Sequence, residues 1–404
     1  MKVKKEVWIP VTRPGAAIFG VATYCSAKRP RLMQIYHEQS SGDRPAAAYC
    51  RFSEDNGRTW NDPKLLATCD KEGDRVIIPS VGPAFLDVME NRFLLFQLHT
   101  PIRADDSWVL SGLVYRRFFY QVSNDEGRTF TYWTPVIERG KEFSEDHPFK
   151  GVFMGRNSAW IANSPVKISS GEILVPLVVL VLDEKGEKLW TPYKEKNIPW
   201  FFDAVFLIGR WKGDSSLEWV TSQAVKISPT LSTEGLDEPA VAELNDGRIL
   251  CICRASNYGK PDIPSYKWMA ISEDNGKTWS EPEPLRYSDG GVLYSSASYS
   301  SLIHHSNGRI YWIGNISPSN PYGMFPRHPL VIAEIDEDNL GVKRETVTII
   351  DTRMEGEIEY PFQLSNFGVY EDRETGEVVV TLPRLFPNDP NDWTAPCMKY
   401  SITV

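Results

Sequence analysis

An all-β fold, a six-bladed β-propeller of four-stranded antiparallel blades, is predicted for this 404-residue chain by three observations. Strand and turn formers dominate, with 13 Trp, 17 Tyr and 18 Phe beside 28 Gly and 29 Pro. An eight-residue box occurs three times. A polar turn leading into an apolar strand occurs six times.

The composition comes first. Apolar runs of four to eight residues are bounded by Gly, Asn, Asp and Pro, and no long 3.6-residue period appears. The box reads Ser53-Glu54-Asp55-Asn56-Gly57-Arg58-Thr59-Trp60, then Ser123 to Phe130, then Ser272 to Trp279. Its pattern is S-x-D-x-G-x-T followed by an aromatic, with starts 70 and then 149 residues apart, so one copy between them is expected to have decayed. Asp-x-Gly makes a tight turn: glycine takes a positive φ and the acid binds local backbone N–H groups. The closing aromatic is expected to pack beneath the next repeat.

The second motif leads into strands at Leu32, Phe93, Ile173, Ile249, Ile310 and Val378. Units of roughly 60 to 80 residues hold four short strands with their loops. One domain over residues 1–404 is expected, with the strand-like ends Lys5 to Pro10 and Lys399 to Val404 sharing a blade to close the ring.

Charge narrows the function. Forty-four basic residues against 53 acidic ones give a net charge of −9, which argues against nucleic-acid binding through a broad basic field. No apolar run approaches the roughly 18 residues that span a membrane. The opening Met1 to Trp8 has no apolar segment of a secretory leader behind its lysines. A cytoplasmic protein, or one whose leader has been removed, is the expectation. Six scattered cysteines form no disulfide scaffold; Cys251 and Cys253 share a strand face as buried thiols. The six histidines show no ligand spacing, so no metal site is expected.

Three boxes at this spacing resemble the Asp boxes of the sialidase (neuraminidase) superfamily, with its BNR repeats. The resemblance implies a glycosidase that clamps a sugar carboxylate with three arginines. It also implies a tyrosine nucleophile assisted by a glutamate, and an aspartate acid/base. Bidentate pairing explains the arginines. A tyrosine suits a sugar bearing its own carboxylate at the anomeric carbon, where a carboxylate nucleophile would be repelled. In that family the boxes lie away from the site, so Asp55, Asp125 and Asp274 read as turn residues.

Asp237 to Glu243 followed by Gly247 to Arg254 resembles the segment where the glutamate opens a strand and a clamp arginine ends the next. Glu238 is thereby the base toward tyrosine and Arg254 a clamp arginine. Asn315 to Pro321, leading to Arg327, is similar to the fifth-blade loop and makes Arg327 the second clamp candidate. Glu357 to Phe362 resembles the tyrosine-bearing strand, which points to Tyr360, with Tyr294 and Tyr370 as weaker alternatives. Asp43, in Ser40-Ser41-Gly42-Asp43-Arg44, is the acid/base candidate.

The first-blade clamp arginine of the family is missing; Gly15 to Ala22 contains none. Arg44, Arg75 or Arg156 would complete the clamp from elsewhere. Trp108, Trp160, Trp200 and Trp393 are candidate sugar-stacking aromatics, although such residues are more often core. The expected activity is an exo-acting, retaining hydrolase of a terminal acidic sugar, sialic acid first, without a cofactor. The partner is an acidic oligosaccharide or glycoconjugate, with no nucleic acid and no membrane. The alternatives are a glycosidase or lyase for a uronic or ulosonic acid, and a non-catalytic carbohydrate-binding propeller.

Overall fold

In the computed structural model, the structure describes residues 1–42, 45–73, 75–103, 115–189, 201–213 and 215–404. They form six antiparallel sheets arranged as the blades of a propeller. The one helical element among the described residues is a single 3-10 turn, Arg344–Thr346.

Each blade opens on an inner strand at the central channel. These strands are Ala17–Tyr24, Arg75–Asp87, Ala159–Ile161 (continued by Val166–Lys167), Asp237–Glu243, Ser301–His304 and Gly368–Glu371. The second strands are Leu32–Gln39, Arg92–Arg103, Ile173–Leu180, Ile249–Arg254, Ile310–Asn315 and Glu377–Pro383. Four start at the residue the polar-turn motif predicted, and those at Arg92 and Glu377 start one residue earlier. Three sheets depart from four plain strands. Blade 2 adds Asp70–Glu72, blade 3 breaks its inner strand, and blade 5 divides its outer strand between Gly341–Val342 and Thr348–Asp351.

The chain ends meet. Lys2–Ile9 pairs antiparallel with Cys397–Thr403, from Lys2 opposite Thr403 to Ile9 opposite Cys397, and is the outer strand of blade 6.

The core lies between blades rather than within one. Leu94, Phe96 and Tyr120 of blade 2 pack with Ile173, Leu207 and Trp219 of blade 3. Leu174 and Phe206 of blade 3 meet Val241 and Cys251 of blade 4. Central strands read as unbroken apolar runs because both faces are covered; Ile173–Leu180 is buried at every position. Cys251 and Cys253 are free thiols with sulfurs 3.4 Å apart on one buried face.

The boxes are turns between the third and fourth strands. In each, the serine hydroxyl receives the glycine N–H (2.8 to 2.9 Å) and the aspartate receives the threonine N–H at 2.8 Å and its hydroxyl at 2.6 to 2.7 Å. Asn275 and Gly276 take φ of 64° and 78°, as their counterparts do, so a left-handed pair is built into the turn. The aromatic does not reach forward. Trp279 of blade 4 stacks on Phe206 of blade 3, and Trp60 of blade 1 packs edge-on against Trp8 of blade 6. The turn leans on the preceding blade, where a Cβ on Gly276 would meet Leu174. Between the first and last boxes, blade 3 has only the short link from Trp211 to Leu217 at this position, the decayed copy.

Trp219 fills the seam between blades 2 and 3, with Phe96 and Tyr120 around its ring and Gly209 beneath it. Trp219→Ala is expected to cost roughly 3–5 kcal/mol in chemical denaturation, the range for emptying a buried aromatic site. A cost below about 1 kcal/mol would show that the seam repacks.

Candidate active site

Antiparallel order assigns the loops to two faces. The turns between first and second strands and the three boxes share one face. The inner strands begin at the other, where second strands end. There a cavity of about 300 Å³ is lined by Trp160, Ile161 and Ala162 of blade 3, Glu238 of blade 4, Tyr299 ahead of blade 5, and Asn366 and Phe367 ahead of blade 6. The boxes point away from it. Asp55 is held down to about 2 by hydrogen bonds from Thr59 and Ser53, a locked turn anion rather than a proton donor.

Glu238 is placed by strain. Pairing between the first two strands of blade 4 shifts between Asp237 and Ala240, and at this bulge Glu238 takes φ of 47°. A non-glycine residue in that region is uncommon and is held there by its surroundings. Bulges re-aim side chains next to active sites. Asn366, with φ of 57°, repeats the device across the cavity.

Asp237 lies opposite Arg254 in the register, so the end of the second strand meets the start of the first. Arg254 Nη1 stands 3.2 Å from Glu238 and 3.5 Å from Asp237, and Nη2 stands 3.7 Å from Glu234. Burial alone would pull the guanidinium down, but the carboxylates of Glu238, Asp237 and Glu234 outweigh it and hold the group above its ordinary value. Burial pushes the Asp237 carboxyl well above the carboxylate range; Arg254 opposes the shift while Glu238 and Glu234 add to it.

Tyr299 is the phenol at this site. Its hydroxyl donates to Asn163 Oδ1 at 2.8 Å and its ring packs edge-on against Phe367. Burial, then the nearby Glu238 carboxylate, raises its pKa. The hydroxyl thus keeps its proton unless a base takes it. Behind the wall, Lys267 is fully buried; burial pulls its ammonium down to about 7, against the pull of Glu238.

Of the residues singled out in the sequence, the structure brings Glu238 and Arg254 together. Tyr360 is 70% exposed on the link from blade 5 to blade 6, packed edge-on against Phe325, and is not among the residues lining the cavity. Asn366 and Phe367, on the same link, line the cavity. Tyr370 is packed against Tyr24, and Tyr294 stacks on Tyr266.

Arg327 is buried at 9% exposure, with Nε, Nη1 and Nη2 bound to Met324 O, Gln363 Oε1 and Ala297 O. Three of its donors are thus taken by the protein. Arg75 is exposed at the start of the blade 2 inner strand, with its guanidinium 5.3 Å from the Tyr115 ring centre, and it too is outside the cavity lining. Arg156 lies with Lys188 in a separate cavity of about 360 Å³. Trp160 does line the cavity, while Trp393 packs on Phe386. Asp43, Arg44, Trp108 and Trp200 lie outside the described residues.

Sequence reasoning missed Tyr299, Asn366 and Lys267. One signal for Tyr299 was present. It sits two residues ahead of its inner strand, in Ser295-Ser296-Ala297-Ser298-Tyr299-Ser300-Ser301, a run of small residues broken by one phenol.

The family model for the BNR repeat-like domain matches residues 32–368. The chain belongs to this BNR repeat-like domain family. A comparison with curated proteins finds no match. Among solved structures, the BNR-repeat chain is similar to a protein of unknown function from Dyadobacter fermentans (TM-score 0.62, 14% identity, 99% of each chain covered). It is also similar to the intramolecular trans-sialidase of Ruminococcus gnavus (TM-score 0.62, 14% identity, 95% of this chain and 94% of that one). A third similar structure is an α-L-arabinofuranosidase from Fusarium graminearum (TM-score 0.55, 13% identity, 98% and 96%). At such identities the shared property is the fold.

The acidic cluster of this BNR-repeat protein has a pH signature. Folded Asp237 keeps a proton that the unfolded chain releases near its ordinary 3.8, so its contribution to stability falls as pH rises from there. The melting temperature of wild type relative to Asp237→Asn is expected to fall from about pH 4 toward neutrality. Lys267, shifted the other way, changes proton binding only above neutrality. A difference that rises over the acid range would mean that Asp237 is ionised in its ion pair with Arg254.

Proposed function

We propose that this protein is an exo-acting, retaining glycoside hydrolase whose reaction centre is the Glu238–Tyr299 pair in the central cavity. The observation that carries the reading is Glu238, turned by a strained bulge into a cavity whose wall also holds a phenol that needs a base. Strain of this kind clusters at sites that act on or hold a ligand.

In the proposed reaction Tyr299 Oη attacks the anomeric carbon while its proton passes to the Glu238 carboxylate. The glycosidic C–O bond breaks, and Asp43 gives a proton to the leaving oxygen. Water then attacks the anomeric carbon, passing its proton to Asp43, as the sugar–tyrosine bond breaks and Glu238 returns the proton to the phenolate. Two displacements retain configuration. Trp160 and Phe367 offer flat apolar surface to the ring. A terminal sialoside is the first substrate on this reading, because a tyrosine tolerates the carboxylate that such a sugar carries.

One observation favours a second substrate class, a neutral terminal sugar. Three carboxylates already surround Arg254, and three donors of Arg327 are engaged by the protein, so the described part of the site holds little cationic surplus for a substrate anion. The arabinofuranosidase among the similar structures acts on such a sugar.

The test is hydrolysis of 4-methylumbelliferyl α-sialoside and 4-methylumbelliferyl α-L-arabinofuranoside by wild type, Glu238→Gln and Tyr299→Phe. Turnover of one of them, reduced at least ~100-fold in both folded variants, is expected; general-base and nucleophile losses are of that order or larger. The substrate cleaved decides between acidic and neutral sugar. No turnover of either by folded wild type, or full turnover by Tyr299→Phe, would overturn this assignment.

A further inference from the structure

The segment that delivers Tyr299 to the cavity is itself gripped by two cations. Ser295, Ser296, Ala297, Ser298 and Ser300 are completely buried. In such a place each backbone carbonyl needs a donor, because water is not there to supply one. Lys267 Nζ, from the residue before the third strand of blade 4, donates to Ser296 O at 3.0 Å, to Ser298 O, and to Ser298 Oγ at 3.4 Å. Arg327 Nη2, from the loop ahead of the third strand of blade 5, donates to Ala297 O at 3.3 Å. Three successive carbonyls ahead of the tyrosine are thus held from opposite sides. Neutral groups complete the hold: Ser265 Oγ on Ser295 O at 2.8 Å, and Asn163 Nδ2 on Ser300 O at 2.9 Å.

A neutral side chain would make a simpler wall. A buried ammonium is costly, and Arg254 and Arg327 add like charge to it. What offsets that cost is Glu238, whose carboxylate favours the charged lysine, together with the three oxygens that receive its protons. The one side chain therefore contacts the Tyr299 segment directly and attracts Glu238 through space.

We infer that Lys267 and Arg327 are positioning residues that fix Tyr299 against Glu238 by gripping the carbonyls of Ser296, Ala297 and Ser298. Arg327 on this view serves the tyrosine and not a substrate carboxylate. The inference rests on the Glu238–Tyr299 reading of the site. A sub-ångström loosening of a reacting group lowers turnover far more than ground-state binding.

The experiment uses the full chain with Lys267→Met and Arg327→Lys, and takes two readings. The first is kcat and KM on whichever of the two 4-methylumbelliferyl glycosides wild type cleaves. Both variants are expected to lose at least ~10-fold in kcat with KM within about twofold. The second needs no substrate: hydrogen–deuterium exchange of the peptide spanning 295–301 is expected to rise at least ~10-fold in Lys267→Met, while peptides from blades 1 and 2 keep wild-type rates. Unchanged exchange in 295–301, or an equal rise in every blade, overturns the inference. So does an Arg327→Lys variant with raised KM and unchanged kcat, the behaviour of a substrate clamp. Should Lys267→Met not fold, the same exchange comparison on Arg327→Lys decides. Failure of the underlying reading shows separately, as full turnover in Tyr299→Phe.

Discussion

Everything at the centre of this molecule depends on a strand pairing between its two ends. Lys2–Ile9 must find Cys397–Thr403 before blade 6 has an outer strand, and only then do six inner strands surround one channel. The entropic cost of closing so long a loop grows only with the logarithm of its length. A seven-pair ladder and the Trp8 contact with Trp60 across the seam are available to offset it. Ring closure also covers the apolar blade faces that an open stack would leave exposed at its two ends. The cavity is a consequence of this closure, since its walls come from blades 3, 4, 5 and 6 and no blade holds it alone.

Within the closed ring, regular pairing and the cavity make opposite demands on the start of an inner strand. Pairing wants extended residues; the cavity wants side chains turned into the channel. Blade 4 resolves this with a bulge and a left-handed Glu238, and blade 6 with a left-handed Asn366 just ahead of its strand. Blade 5 uses another solution: a fully buried run of small residues with every turn of the chain tied down. Local strain and a cationic grip are two ways of holding a side chain where the sheet would not put it.

The fold was legible because its signals are local. A box needs only Ser, Asp, Gly and Thr at fixed offsets, and a polar turn ahead of an apolar run marks a second strand wherever it occurs. Six second strands and the joined ends followed from those alone. The direction in which the box aromatics pack was not legible, since Trp279 could reach a neighbour on either side and only the lean of the turn onto blade 3 decides. In the site, Glu238 and Arg254 were legible as a pair because one hairpin carries both. Tyr299, Asn366 and Lys267 come from separate blades. Their meeting depends on where each inner strand begins, to within a residue or two, and sequence pattern does not resolve that. The same holds for Tyr360: its link to blade 6 reaches the cavity six residues later, at Asn366.

The charge around Arg254 carries the last step. A guanidinium aimed at a substrate carboxylate gains most where its other neighbours are neutral, because each protein carboxylate beside it weakens its pull on an anion. Here Glu234, Asp237 and Glu238 stand within 3.7 Å, and burial would make three ionised carboxylates around one cation unfavourable. Asp237 relieves the crowding by holding its proton, which leaves Glu234 and Glu238 to face Arg254. Glu238 is then the carboxylate with two attractive neighbours, Arg254 at its side and Lys267 behind the wall. The cations of this site are therefore arranged around Glu238 and the segment that carries Tyr299, and the cavity lining beside Glu238 is aromatic, aliphatic and amide: Trp160, Ile161, Ala162, Tyr299, Asn366 and Phe367.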